Sequence, residues 1–100
     1  MLHDVMAEEN IPVGGQKVMR IGEYQLLFCR TESGVYAIEN ICPHAAQPLA
    51  GGRVNEDIIR CPSHGARFDL KTGAPVVGRL DPVKTFPVTV SDGRIKVEIE

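Results

Sequence analysis

Residues 41–44 read Ile-Cys-Pro-His, and residues 60–69 read Arg-Cys-Pro-Ser-His-Gly-Ala-Arg-Phe-Asp. Reduced to donor atoms, they give Cys42-x-His44, sixteen residues, then Cys61-x-x-His64. Each of these two hooks offers one thiolate and one imidazole. Two of the three cysteines and two of the three histidines in the chain sit here. The pattern is that of a metal site, and the remaining sequence reads as its scaffold.

On either side of the hooks the chain reads as short strands separated by dense turns. Residues 2–6 form a first candidate strand, and Asn10-Ile11-Pro12-Val13-Gly14-Gly15 is a loop on its Pro and Gly content. Residues 16–21 alternate polar and apolar, Gly22-Glu23 turns, and residues 24–30 are a near-continuous apolar run of strand length. Ser33-Gly34 then returns the chain into Val35-Tyr36-Ala37-Ile38 as a hairpin. From Asn40 to Gly52 there is no periodicity, and loops of this length inside a small domain are usually functional. A short hairpin of 53–54 and 57–60 is expected around Asn55-Glu56. A brief strand follows at 67–69, with a turn at Lys71-Thr72-Gly73. Near the end, 85–90 and 94–100 flank Ser91-Asp92-Gly93, where Asp-Gly signals a type I′ turn. Ile95, Val97 and Ile99 alternate with Lys96, Glu98 and Glu100, so one face of that strand is buried. No ten-residue segment has a helical period, and the expected class is all-β.

Composition narrows the function. A chain of 100 residues is one domain with a thin core, in which a bound metal or cluster adds folding free energy. A formal charge of −2 argues against nucleic-acid binding, which requires a basic stripe. The first nine residues lack a basic leader pattern, and no run reaches the roughly 18 apolar residues of a membrane span. A soluble, cytoplasmic protein is expected. Three cysteines is an odd count that a disulfide framework does not explain, whereas metal binding accounts for two. Cys29, inside the apolar run, reads as a small core hydrophobe, and His3 as a surface residue.

Two thiolates and two imidazoles can bind Zn²⁺ tetrahedrally or a [2Fe–2S] cluster with mixed ligation. Paired zinc ligands usually have two to four residues between them, and only Pro43 separates Cys42 from His44. So short a gap suits ligands diverging to two different irons. The four ligands, their spacer, Pro43, Pro62 and Gly65 resemble the Rieske family, as do the stretch from Gly34 to Ile38 and the turn from Asp69 to Gly73.

The resemblance implies a Rieske fold: an antiparallel β-sandwich or barrel base (1–38 and 75–100) with an inserted two-loop cluster-binding subdomain (about 39–74). It implies one [2Fe–2S] cluster, with Cys42 and Cys61 on one iron and His44 and His64 on the outer iron. Pro43, Pro62, Gly65 and Ala66 would be cluster-loop contacts. Oxidised, such a cluster sums to zero formal charge, against −2 for a four-thiolate cluster. It therefore accepts an electron more readily.

Departures from the family pattern narrow the subclass. Gln47 and Ser63 stand where the high-potential members carry a cysteine pair, so no loop disulfide is possible. Ala66 and Phe68 stand where those members place hydroxyls that donate to sulfur, so a potential at the low end, around −150 mV, is expected. What remains resembles the small ferredoxins of bacterial aromatic-ring dioxygenase systems. The implied partners are a flavin-dependent ferredoxin reductase and a terminal oxygenase, and a monomer suits a shuttle visiting both.

A non-haem oxygenase site wants two histidines and a carboxylate, and only His3 remains, so the chain reads as a carrier rather than an enzyme. Alternatives are a small subunit of another redox enzyme, such as a nitrite reductase, and a zinc-stabilised interaction domain. Visible colour would separate the last, because zinc proteins are colourless.

Overall fold

The computed structural model describes residues 1–43, 46–63, 65–78 and 80–100. Among these residues the strands are β1 (Leu2–Ala7), β2 (Gln16–Ile21), β3 (Tyr24–Thr31), β4 (Gly34–Glu39), β5 (Arg53–Asn55), β6 (Ile58–Arg60), β7 (Arg67–Asp69), β8 (Thr85–Phe86), β9 (Val88–Ser91) and β10 (Arg94–Glu98). They form three antiparallel sheets, ordered β1-β10-β9, β2-β3-β4-β8 and β5-β6-β7. Among the described residues no helix is long and apolar enough to cross a membrane.

The apolar run in β3 has a specific cause. Successive side chains on a strand point to opposite faces, and here both faces are covered. Leu26 and Phe28 join a core with Met6, Ile11, Ile95 and Val97, between the first and second sheets. Leu27 and Cys29 face the other way, into a second core with Ile59, Phe68, Leu70 and Val83. β4 divides likewise, with Val35 and Ala37 on one side and Tyr36 and Ile38 on the other. Two-sided burial erases the polar half of the usual alternation. Strand β10 has one buried face, made by Ile95 and Val97 and continued by Ile99, as its alternation predicts.

Three local expectations require correction. The stretch 85–90 is two strands rather than one: β8 pairs with β4, β9 pairs with β10, and the chain changes sheets at Pro87. Proline has no N–H to give a ladder, and its carbonyl here accepts from Glu98 N–H at 2.9 Å. The β5–β6 turn is centred on Glu56 and Asp57 (φ +51° and +64°), one residue later than expected. Asp tolerates a left-handed conformation, and the later turn keeps Asp57 off the face that Val54 and Ile59 bury. Finally, a short 3₁₀ turn spans Glu8–Asn10 where none was read. Arg30 holds it from β3, donating to Glu8 O at 3.1 Å and Ile11 O at 2.8 Å. The Asp92-Gly93 turn has positive φ at both residues, as type I′ demands.

Asp57 also ties two turns together. Its Oδ2 accepts from Ser33 Oγ at 2.6 Å, Ser33 Oγ meets Tyr36 Oη at 2.7 Å, and Lys71 Nζ lies 3.5 Å away. The Ser33 hydroxyl and then the Thr31 hydroxyl hold this carboxyl below the usual carboxylate range, against an opposing effect of burial, with smaller help from the Lys71 ammonium. A depressed folded-state pKa contributes stability that is present above the unfolded value and lost as pH falls through the folded one. Asp57→Asn should therefore lower stability to urea at neutral pH. The gap to wild type should be constant above about pH 5 and close below pH 4, where the unfolded carboxyl titrates. A gap unchanged down to pH 3 would show that the charge of Asp57 contributes nothing.

Candidate metal centre

The first hook follows β4, and the second is the loop joining β6 to β7. Cys42 and Cys61 are both buried, at 0% and 1% exposure, and both belong to the second core. No disulfide joins any of the three cysteines. Cys29 sits in the same core, and burial pushes its thiol up to about 12, so it stays protonated. That agrees with its reading as a core residue. His44, Ala45, His64 and Arg79 lie outside the described residues, so the imidazole half of the expected ligand set has no described geometry.

The backbone around the two cysteines is built twice to one plan. In the first hook, Cys42 N–H donates to Gln47 O (2.7 Å) and Cys42 O accepts from Ala46 N–H (2.8 Å). In the second, Cys61 N–H donates to Ala66 O (2.7 Å) and Cys61 O accepts from Gly65 N–H (2.9 Å). Each cysteine thus pairs with the residues four and five places on. The fourth residue adopts positive φ in both hooks, +53° at Ala46 and +75° at Gly65. The repeat places two sulfur-bearing side chains in equivalent local frames, each with its own N–H and C=O already satisfied. Ala66 lies half-buried beside this core, Pro43 is half-buried and Pro62 is exposed.

The polar side chains that hold the first hook were not singled out from the sequence. Asn40, buried at 8% exposure, accepts at Oδ1 from Leu49 N–H (2.9 Å) and Ala50 N–H (2.8 Å). Its Nδ2 donates to Gln25 Oε1 at 2.8 Å, and its backbone N–H donates to Gln25 O at 2.9 Å. Gln16, at the start of β2, donates to Gly52 O (2.7 Å) and accepts from Gly51 N–H (3.0 Å). Two amide side chains therefore pin residues 49–52 to the second sheet. The available signal was an Asn directly after a strand and before an irregular loop, where its side chain often serves backbone groups. Gly52 is fixed by contact: a Cβ there would lie 2.1 Å from Arg60 O.

With this geometry in hand, likeness to known proteins is informative. The Rieske [2Fe-2S] domain family matches residues 1–87. The chain belongs to the Rieske family. Its cofactor is accordingly one [2Fe–2S] cluster, and two buried thiol groups presented by matching loops suit the sulfur side of such a group. A ferredoxin component of a naphthalene 1,2-dioxygenase system from Pseudomonas aeruginosa is 31% identical over 100 residues, covering 96% of this chain and 93% of that protein. The ferredoxin of carbazole 1,9a-dioxygenase from Nocardioides aromaticivorans IC177 superposes with a TM-score of 0.91 at 30% identity, covering 100% and 99% of the two chains. A ferredoxin chain from a complex of reduced oxygenase and oxidized ferredoxin of carbazole 1,9a-dioxygenase matches at 0.86 and 30% identity, covering 99% and 97%. The Rieske architecture expected from the hooks is the one observed, all-β and antiparallel.

Asn40→Ala would leave a buried Leu49 N–H without its acceptor, a loss of about 1–3 kcal/mol for that group alone. We expect a destabilisation of about 2 kcal/mol or more in urea titrations, with faster iron loss on dilution. Asn40→Asp keeps the acceptor and should lose less. Equal stability for Asn40→Ala and wild type would remove Asn40 from this role.

Proposed function

We propose that this Rieske protein is an electron-transfer ferredoxin. It would take one electron from a flavin-dependent reductase and deliver it to the terminal oxygenase of a multicomponent dioxygenase system for aromatic compounds. The observation carrying this reading is the pair of matching cysteine loops on a fold shared, over nearly the whole chain, with ferredoxin components of such systems. The likeness to a ferredoxin solved with its oxygenase supports the acceptor. The reductase, a monomeric state and a cytoplasmic location belong to the same proposal. So does the division into a base (1–38 and 75–100) and a cluster-binding part (39–74).

In this reading Cys42 and Cys61 ligate one iron and His44 and His64 the other. The cluster supplies reversible storage of a single electron. The chain's own residues do the rest. Leu27, Ile38, Leu49, Ile59 and Phe68 exclude water around the two cysteines. The four loop hydrogen bonds and the Asn40 and Gln16 clamps keep the sulfur atoms from moving when the charge changes. With no second histidine pair to build an oxygen-activating iron site, the chain carries electrons and transforms no substrate itself.

Iron and sulfide analysis should give two of each per chain, with the rhombic electron paramagnetic resonance signal of a mixed-ligand cluster after dithionite reduction. Cys42→Ser or Cys61→Ser should abolish that signal, and Cys29→Ala should retain it. A colourless, zinc-loaded wild type would overturn the electron-transfer reading.

Phe68 is fully buried in the core that contains both cysteines, and Ala66 closes the second hook. Neither carries a hydroxyl to stabilise negative charge on sulfur. Ala66→Ser combined with Phe68→Tyr should raise the potential in protein-film voltammetry. No upward shift in a folded, cluster-loaded double variant would remove these two positions as the cause of a low potential.

A further inference from the structure

The outer face of the third sheet carries a row of positive charge that the protein does not neutralise. Arg53 stands opposite Arg60 across β5 and β6, and Arg60 opposite Arg67 across β6 and β7. Directly opposed residues on antiparallel strands share a face. Three guanidinium stems therefore stand side by side, in a row roughly 10 Å long at the usual strand spacing. All three are exposed, while Val54, Ile59 and Phe68 turn inward from the same strands. The three arginines line a shallow cavity of about 290 Å³ with Asn55, Glu56 and Ile58.

Among the described residues none of the three side chains makes a hydrogen bond or an ion pair, although Arg30 and Arg94 each reach a carboxylate. Glu56 sits in the turn beyond the row and forms no ion pair, and Asp69 on this face spends an oxygen on Lys71 N–H at 2.7 Å. The chain as a whole has more acids than bases, 13 against 11, so the row is not a by-product of a basic composition. Like charges placed directly opposite each other destabilise a sheet, and a single acid at position 60 would relieve both contacts. Folding therefore gains nothing from this arrangement.

Its location is informative. Arg60 immediately precedes Cys61, and its guanidinium lies over the second hook: a Cβ built on Gly65 would come within 3.1 Å of Nε and Nη2. Arg53 and Arg60 also border an open cavity of about 400 Å³ shared with Cys61, Pro62 and Gly65. The row thus runs up to the rim of the metal centre.

We propose that Arg53, Arg60 and Arg67 form the docking surface for a carboxylate row on a redox partner protein, held alongside the second hook. This deepens the electron-transfer reading and rests on it. Planar guanidinium forks favour paired carboxylate oxygens over single point charges. Acid side chains one helical turn apart, about 5–6 Å between Cβ atoms, match the spacing of the row.

The test uses the cluster-loaded protein and poly-L-glutamate as the carboxylate probe. In low salt, amide shifts on binding should centre on β5, β6 and β7. Affinity should fall at least tenfold in R53Q/R60Q/R67Q and recover in part in R53K/R60K/R67K. R53Q/R67Q, which leaves the Arg60 contact with Gly65 intact, should fall several-fold and guards against misfolding of the triple variant. In stopped flow, the reduced triple variant should be oxidised several-fold more slowly by anionic ferricyanide and no more slowly by cationic hexaammineruthenium(III). Undiminished binding in the triple variant, shifts centred elsewhere, or the same shifts from millimolar inorganic phosphate would overturn the proposal. Failure of the electron-transfer reading would show separately, as absent iron and no resonance signal, whatever poly-L-glutamate does.

Discussion

The burial of β3 and β4 on both faces is the constraint on which the rest of this structure depends. One face closes the first core against the first sheet, and the other is the floor on which both cysteine loops rest. A larger side chain at Leu27 or Ile38 would press on the core that holds Cys42 and Cys61, while one at Phe28 or Ala37 would press on the first core. Overpacking is costly in a close-packed interior. The site is therefore only as rigid as the shared wall beneath it.

On that wall the loops are held by polar groups rather than by further regular structure. Irregular backbone has no ladder to satisfy its N–H and C=O groups, and in a buried place each must find a partner. Asn40 and Gln16 supply those partners for residues 49–52, and each cysteine supplies them for its own loop. No buried side-chain nitrogen or oxygen among the described residues lacks a hydrogen bond. A site that must change charge without moving benefits from such complete pairing, because there is little slack for the backbone to take up.

Much of this was legible in the sequence, and the limits of legibility have physical causes. The strand at Arg67–Asp69, the Asp92-Gly93 turn and the one-sided burial of β10 follow from local pattern and turn chemistry, so they were readable. The division at Pro87 was not, because it depends on which sheet each half joins, a long-range matter. The β5–β6 turn was placed one residue early because Asp57 is called into the turn by Ser33, 24 residues away. The four candidate ligands were suggested by residue type, spacing and family resemblance, and the two cysteines among them share one core. The amide clamps and the arginine row are not legible in the sequence because they exist only in the folded register. In the sequence Arg53, Arg60 and Arg67 are merely three bases seven residues apart.

The pairing of β1 with β10 joins segments far apart in the sequence, with Leu2 opposite Glu98. During synthesis the first strand must wait for residues 94–98 before it gains β10 as a neighbour. By then β2, β3 and β4 have been available to one another for most of elongation, and both hooks have already emerged. Closing so long a loop costs entropy that no local contact repays in advance. The pairings among β2, β3 and β4 can thus form before the sheet β1-β10-β9 closes.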